Sequence, residues 1–161
     1  MNAPESPSVI EANAAVISAS LDGGFDGALH RYPLRVHYED TDAGGSIYHA
    51  QYLAFAERAR SAMLRCLDID QAGLLALHNK GFVVRRIEVD FKKSAGLGAV
   101  LEVTRECLRL GGASIKLQQN IKNVENGHIL ARLIVKIGLV YFDKVKGPSI
   151  CRLPVDIKNK F

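Results

Sequence analysis

The chain has 161 residues, 48% of them hydrophobic, which suits one globular domain with a core of its own. No apolar run approaches the roughly 18–20 residues of a membrane span, and the N-terminus shows no basic region ahead of an apolar stretch, so neither a span nor a secretory leader is expected. The net charge is +4, yet residues 1–30 hold Glu5, Glu11, Asp22 and Asp26 and no Lys or Arg, so that segment is −4 and the remainder +8. A basic body points to an anionic partner, and charge alone leaves nucleic acid, a membrane surface and a phosphorylated cofactor open. Cys66, Cys107 and Cys151 are odd in number, far apart and without a CxxC pair. They predict neither a disulfide framework nor a zinc site, and the whole reads as a soluble cytoplasmic protein.

Residues 1–30, with Pro4, Pro7, Gly23, Gly24 and Gly27 and no sustained period, read as a disordered or loosely packed tail ahead of a domain over 31–161. Leu34, Val36 and Tyr38 alternate with Arg35 and His37 as in a strand. A polar loop follows, then a helix from about His49 to Leu67. Its apolar positions Leu53, Ala56, Ala59, Met63 and Leu67 recur every three or four residues, and Tyr52, Phe55, Ala62 and Leu64 extend them around the helix. Such a helix is buried on more than one side. A short helix over Gln71 to Asn79 is expected to end before a left-handed cap at Gly81. Four alternating segments follow, around Ile87–Phe91, Leu101–Cys107, Ala113–Ile121 and Ile129–Tyr141. Gly111-Gly112 and Asn126-Gly127 read as hairpin turns with positive φ, so consecutive strands are expected to lie antiparallel. The last run exceeds a usual strand and is expected to bend or to reach a subunit contact. The class is α+β: one long apolar helix on one curved antiparallel sheet.

The dense chemistry lies between the first strand and the long helix, in Glu39-Asp40-Thr41-Asp42-Ala43-Gly44-Gly45-Ser46-Ile47-Tyr48-His49-Ala50-Gln51-Tyr52. Gly44 and Gly45 let backbone approach a ligand. The helix start offers free N–H groups and a partial positive charge. Acyl hydrolysis uses both parts, a carboxylate to attack or activate water and N–H donors for the developing oxyanion. A carboxylate before a helix is also a common cap, and Glu39 and Asp40 fit a role in holding the loop. No metal is expected, because the run lacks EF-hand spacing and has one nearby His. No GxSxG is present, in keeping with a site that requires no Ser-His-Asp set, and no GxGxxG follows a strand, so no nicotinamide or other cofactor is expected.

The stretch Tyr38-Glu39-Asp40-Thr41-Asp42-Ala43-Gly44-Gly45, with Tyr48-His49-Ala50-Gln51-Tyr52-Leu53 and Phe55-Ala56-Glu57-Arg58-Ala59-Arg60, resembles the signature of the YbgC-type thioesterases. These belong to the 4-hydroxybenzoyl-CoA thioesterase group of hotdog proteins. The likeness continues through Phe82 to Phe91, Leu110 to Ser114 and Arg152-Leu153-Pro154, roughly Tyr32 to Pro154. One departure is Ser94-Ala95-Gly96-Leu97-Gly98-Ala99, which stands where relatives carry a Pro and then an Arg-Asp pair. The resemblance implies a hotdog fold, with the sheet wrapped on the central helix, and a homo-oligomer, dimer or tetramer, with sites between protomers. It implies an acyl-CoA thioesterase whose catalytic Asp is Asp42, nucleophile or general base, and whose carbonyl-polarising helix-start amide is His49. Gly44, Gly45, Tyr48 and Tyr52 stand around that motif as substrate-binding candidates. Arg85 and Arg86, with Lys92 and Lys93, are candidates for the phosphates of coenzyme A.

Two rival readings stand beside it. One is a non-catalytic acyl-CoA or acyl-carrier-protein binding module linked, as relatives are, to phospholipid synthesis or the Tol-Pal envelope system. The other is a hotdog dehydratase, which the Asp-Thr-Asp-Ala-Gly-Gly loop fits less well. Nucleic-acid binding is not expected, because no RNP-like aromatic motif or zinc-finger spacing is present.

Overall fold

The structure, a computed structural model, describes residues 21–161. Its centre is helix α1 (Gln51–Cys66), whose Phe55, Ala56, Ala59, Ala62 and Met63 are fully buried. The three alanines let strands approach the helix closely, while Phe55 and Met63 fill the space between. Removing a buried aromatic such as Phe55 costs about 3–5 kcal/mol. A polar clamp crosses this core. Buried Gln119 accepts a hydrogen bond from Arg60 Nη1 (2.6 Å) and donates Nε2 to the carbonyl of Ala56 (3.0 Å). Arg60 also pairs with Glu57 at the helix surface. The apolar circumference predicted for this helix is therefore real, with one satisfied polar seam in it.

Around α1 curves a seven-stranded antiparallel sheet in the order β1 (Gly24–Asp26), β2 (Leu29–Arg35), β4 (Val100–Leu110), β5 (Ser114–Asn123), β6 (Ile129–Asp143), β3 (Lys80–Phe91). A short β7 (Gly147–Ile150) pairs with the end of β6. Helix α2 (Gln71–His78) precedes β3, and a turn of helix, α3 (Val155–Lys158), follows β7. The length of β6 is explained by β7, which folds back on its last residues after a turn closed on Asp143 Oδ1.

Four expectations are corrected here. Consecutive strands pair in β4–β5 and β5–β6, but β3 lies beyond β6 and does not touch β4. Alternation tells which face a residue takes and not which strand lies beside it. The left-handed residue after α2 is Asn79 (φ +49°), and Gly81 lies within β3 opposite Val140. Of the two hairpin signals, Gly127 uses positive φ (+72°), whereas Gly111 serves closeness, since a Cβ there would stand 3.0 Å from the Ser114 carbonyl oxygen.

The fourth correction concerns the tail. Residues 1–20, with most of it, lie outside the described residues, but Gly24–Asp26 and the start of Leu29–Arg35 place its end in the sheet. β1 and β2 form a tight hairpin through Gly27 (φ +60°), and His30 is fully buried with Nε2 2.9 Å from the carbonyl oxygen of Asp22. The Asp22 carboxylate takes a two-pronged grip from Arg65 near the end of α1, at 2.6–3.0 Å. A stretch without period escapes sequence reading because these ties are made by single residues to a distant helix.

That ion pair has a testable consequence. The hydrogen bond from Arg65 holds the Asp22 carboxyl below its ordinary value, against a smaller opposing effect of burial. A depressed carboxyl contributes stability above its unfolded value and loses it as pH falls through the folded one. Thermal melts of wild type and Asp22→Asn should therefore differ near neutral pH, by an amount reduced by the half-exposed arginine, and converge below about pH 4.

Candidate active site

The polar loop is built on Asp40. Its carboxylate is buried (1% exposed) and accepts the His37 amide at 2.7 Å, closing a short 3-10 turn over Tyr38–Asp40. Its carbonyl oxygen accepts the Tyr48 amide at 2.9 Å, which ties the start of the loop to the approach of α1. Of the loop's clustered acids, Asp40 thus holds the loop, while Glu39 faces outward and accepts Gln51 Nε2 on its carbonyl oxygen.

Asp42 sits at the root of a tight turn. Its amide donates to the Ser46 carbonyl (2.8 Å), and its carbonyl accepts from Gly45 (2.9 Å). Its Oδ1 accepts the amides of Gly44 (2.9 Å) and Ser46 (3.3 Å). Among the described residues no bond engages Oδ2, so one carboxylate oxygen of this exposed residue is anchored and the other is unengaged. The glycines have separate reasons. Gly45 takes φ +78°, which disfavours other residues, and a Cβ on Gly44 would stand 3.2 Å from Asp42 Oδ1. The turn is fastened by bridges of Thr41 to Ile47 and of Ser46 to Gly96, with the Ile47 amide bound to the Ala95 carbonyl (2.9 Å). The divergent 94–99 segment is therefore what closes the site from behind. The same segment joins β2 through Val36 and Ala99.

The chain then reaches Tyr48 and His49, whose rings lie 4.4 Å apart just ahead of α1. Among the described residues no hydrogen bond takes the amides of His49 and Ala50. They are free donors at the positive end of a 16-residue helix. An open cleft of about 310 Å³ lies here, lined by Ile47, His49, Tyr52, Phe91, Lys92, Lys93 and Ser94. Tyr52 is buried against Phe55 and Phe91, and burial raises its phenol above the ordinary value while Ser94 pulls it down.

Asp42, Gly44, Gly45, Tyr48, His49 and Tyr52 are thus brought to one end of the molecule. Arg85 and Arg86 are not. Arg86 is five residues up β3 from Phe91, roughly 17 Å at about 3.4 Å per residue, and pairs with Glu88 on the outer face of the sheet (3.0 Å). Lys92 and Lys93 do line the cleft, with Lys92 tied to Asp90 (2.6 Å). Phe91 and Ser94 were missed as lining residues. Phe91 closes the alternating run of β3, and its place beside Tyr52 depends on how that run meets the helix.

An anchored carboxylate and unused amides at a helix start thus stand ahead of the helix on which the sheet is wrapped. Residues 44–129 match the family described as Thioesterase superfamily, so the architecture is a hotdog and the protein is a thioester hydrolase. It is 38% identical over 141 residues to acyl-CoA thioesterase YbgC of Haemophilus influenzae, covering 88% of this chain and 96% of that one. It is 47% identical over 98 residues to acyl-CoA thioester hydrolase YbgC of Escherichia coli O6:H1, across 61% of this chain and 72% of that one. The crystal structure of a probable thioesterase from Bartonella henselae superposes with a TM-score of 0.71 at 34% identity, over 79% of this chain and all of that one. The chain belongs to the YbgC-type thioesterases of the hotdog superfamily. No described helix is long and apolar enough to cross a membrane.

The two aspartates should separate in stability measurements. Asp40→Ala empties a buried position and removes the acceptor of the part-buried His37 amide, and should lower stability by about 1–2 kcal/mol in chemical denaturation. Asp42→Ala gives up contacts on an exposed turn and should cost clearly less.

Proposed function

We propose that the protein hydrolyses acyl-CoA to the free acid and coenzyme A, with Asp42 as its catalytic carboxylate. What supports this is an exposed Asp42 carboxylate held by one oxygen in the turn ahead of α1, together with the unused helix-start amide of His49. Asp42 either takes a proton from the attacking water or adds to the carbonyl itself, giving an anhydride that water then opens. In both routes negative charge collects on the carbonyl oxygen, where the His49 amide and the α1 dipole oppose it. The C–S bond breaks, sulfur leaves as thiolate and is protonated, and the oxygen of water ends in the acid. A thiolate leaves readily, so no general-acid partner is required. Gly44 and Gly45 shape the turn, while Tyr48, Tyr52 and Lys93 border the substrate.

Thiol release from short, long and aromatic acyl-CoAs is the direct test. Asp42→Asn should reduce turnover by about 10²-fold or more with an unchanged melting profile. Near-normal turnover in that variant would sink the assignment.

We also propose a homodimer formed through β3. This 12-residue strand ends the sheet with its outer edge open, and Val83, Val84 and Phe91 are exposed along it. A long apolar edge is a template for strand pairing, and a two-fold axis places two copies antiparallel. Such pairing sets the partner's strand start, with the apolar groove of Leu74, Leu75, Phe82 and Phe142, beside the cleft at Phe91. Val84→Glu should shift sedimentation toward monomer and reduce thiol release in parallel. Full turnover from a monomer would refute the shared site.

A further inference from the structure

The outer face of the sheet, turned away from α1, carries a groove of about 550 Å³ whose walls include Arg86, Arg109, Lys116 and Lys136. These four stand in one line across four neighbouring strands. Arg109 is opposite Lys116, Lys116 opposite Lys136, and Lys136 opposite Arg86. With strands about 4.8 Å apart, the line is roughly 14 Å long. Like charges directly opposite on a ladder destabilise it. Glu88 is the acid in the groove and is already paired with Arg86 (3.0 Å). Among the described residues Arg109, Lys116 and Lys136 form no ion pair.

Both arginines owe their position to a bulge. In β4, Val103 and Arg105 are buried beneath the sheet, and simple alternation would turn Arg109 the same way. The register shift between Cys107 and Arg109 drops Leu108 from the ladder and turns Arg109 outward, opposite Lys116. In β3, Val84 stands opposite buried Ile137, and alternation would put Arg86 on that inner face too. The shift between Val84 and Arg86 leaves Arg85 unpaired and brings Arg86 out opposite Lys136. Two bulges in strands that are not neighbours thus deliver a guanidinium to each end of one lysine pair, and bulges re-aim side chains at sites. Arg85 adds a fifth cation: its stem lies across Gly138, where a Cβ would stand 3.2 Å from Arg85 Cδ.

We propose that this groove is a polyphosphate site that takes the linked phosphates of a nucleotide. A line of charge this long exceeds what one carboxylate or one phosphate fills, and the groove has the size of small-ligand pockets, about 300–1,000 Å³. Guanidinium forks grip phosphate oxygens two at a time, and the adjoining lysines supply point charge. Gly111 and Gly112 line one side, where the chain is free of side chains, and Ile134 offers an apolar contact. Nucleotide phosphates have two sources here. One is a free nucleotide; the other is the nucleotide end of coenzyme A, which rests on the function proposed above.

The test is calorimetric titration of inorganic tripolyphosphate, ATP and coenzyme A into wild type, the Lys116→Gln/Lys136→Gln double variant and Asp42→Asn. Wild type and Asp42→Asn should bind tripolyphosphate alike, and more weakly as salt rises. The double variant should bind it about tenfold more weakly or worse, while melting no lower, because it has lost repulsion. Loss of coenzyme A affinity in parallel assigns the groove to the carrier; loss of ATP affinity alone assigns it to a free nucleotide. Wild type that binds no tripolyphosphate, or a double variant that binds it as wild type does, overturns the proposal. Turnover plays no part in this readout, so a failed hydrolase assignment and a failed groove are told apart.

Discussion

The burial of α1 in the hollow of the sheet is the constraint on which the rest depends. A helix apolar around most of its circumference has to be wrapped, and Ala56, Ala59 and Ala62 set how closely the strands draw in. Wrapping fixes the helix in position, and the Gln119 bonds to Arg60 and Ala56 resist its sliding or turning. A fixed helix has a fixed N-terminus. The free amides of His49 and Ala50 therefore occupy a defined place, which is what an oxyanion site needs before any substrate arrives.

The loop ahead of the helix divides labour between two aspartates two residues apart. Asp40 buries its carboxylate and gives one oxygen to the His37 amide, whereas the Asp42 carboxylate lies on the surface and gives one oxygen to the amides of Gly44 and Ser46. Their residue type is identical, and burial separates the aspartate that holds the loop from the one proposed for chemistry. The crossing segment 94–99 completes the arrangement. It carries the chain from one side of the sheet to the other and pins the Asp42 turn on its way, so that β3, β2 and the turn share one support.

The two faces of the sheet have taken different chemistry. The inner face is apolar except for a few buried polar groups such as Gln119 and His30 and the buried Arg105, which lies against the Phe161 ring and is pushed down to about 10 by burial. The outer face concentrates cations where two bulges reverse the expected alternation. The open edge of β3 lies between these faces, so one strand borders the cleft, the basic groove and the proposed subunit contact.

Much of this was legible in the amino-acid order. The period of α1, the four alternating runs and the Asp42-to-Tyr52 motif are local patterns, and local patterns survive without knowledge of the fold. The resemblance then named the family that the matching segment bears out. What only the tertiary structure decided was adjacency: that β3 pairs β6, that residues 22–30 lock onto α1 through Asp22 and Arg65, and that Arg85 and Arg86 stand apart from the cleft. Period-two alternation assigns a face but not a neighbour, and one bulged residue reverses even the face. The loop ahead of α1 lay within reach of sequence because its parts are contiguous; the cationic line did not, because its four members come from four strands.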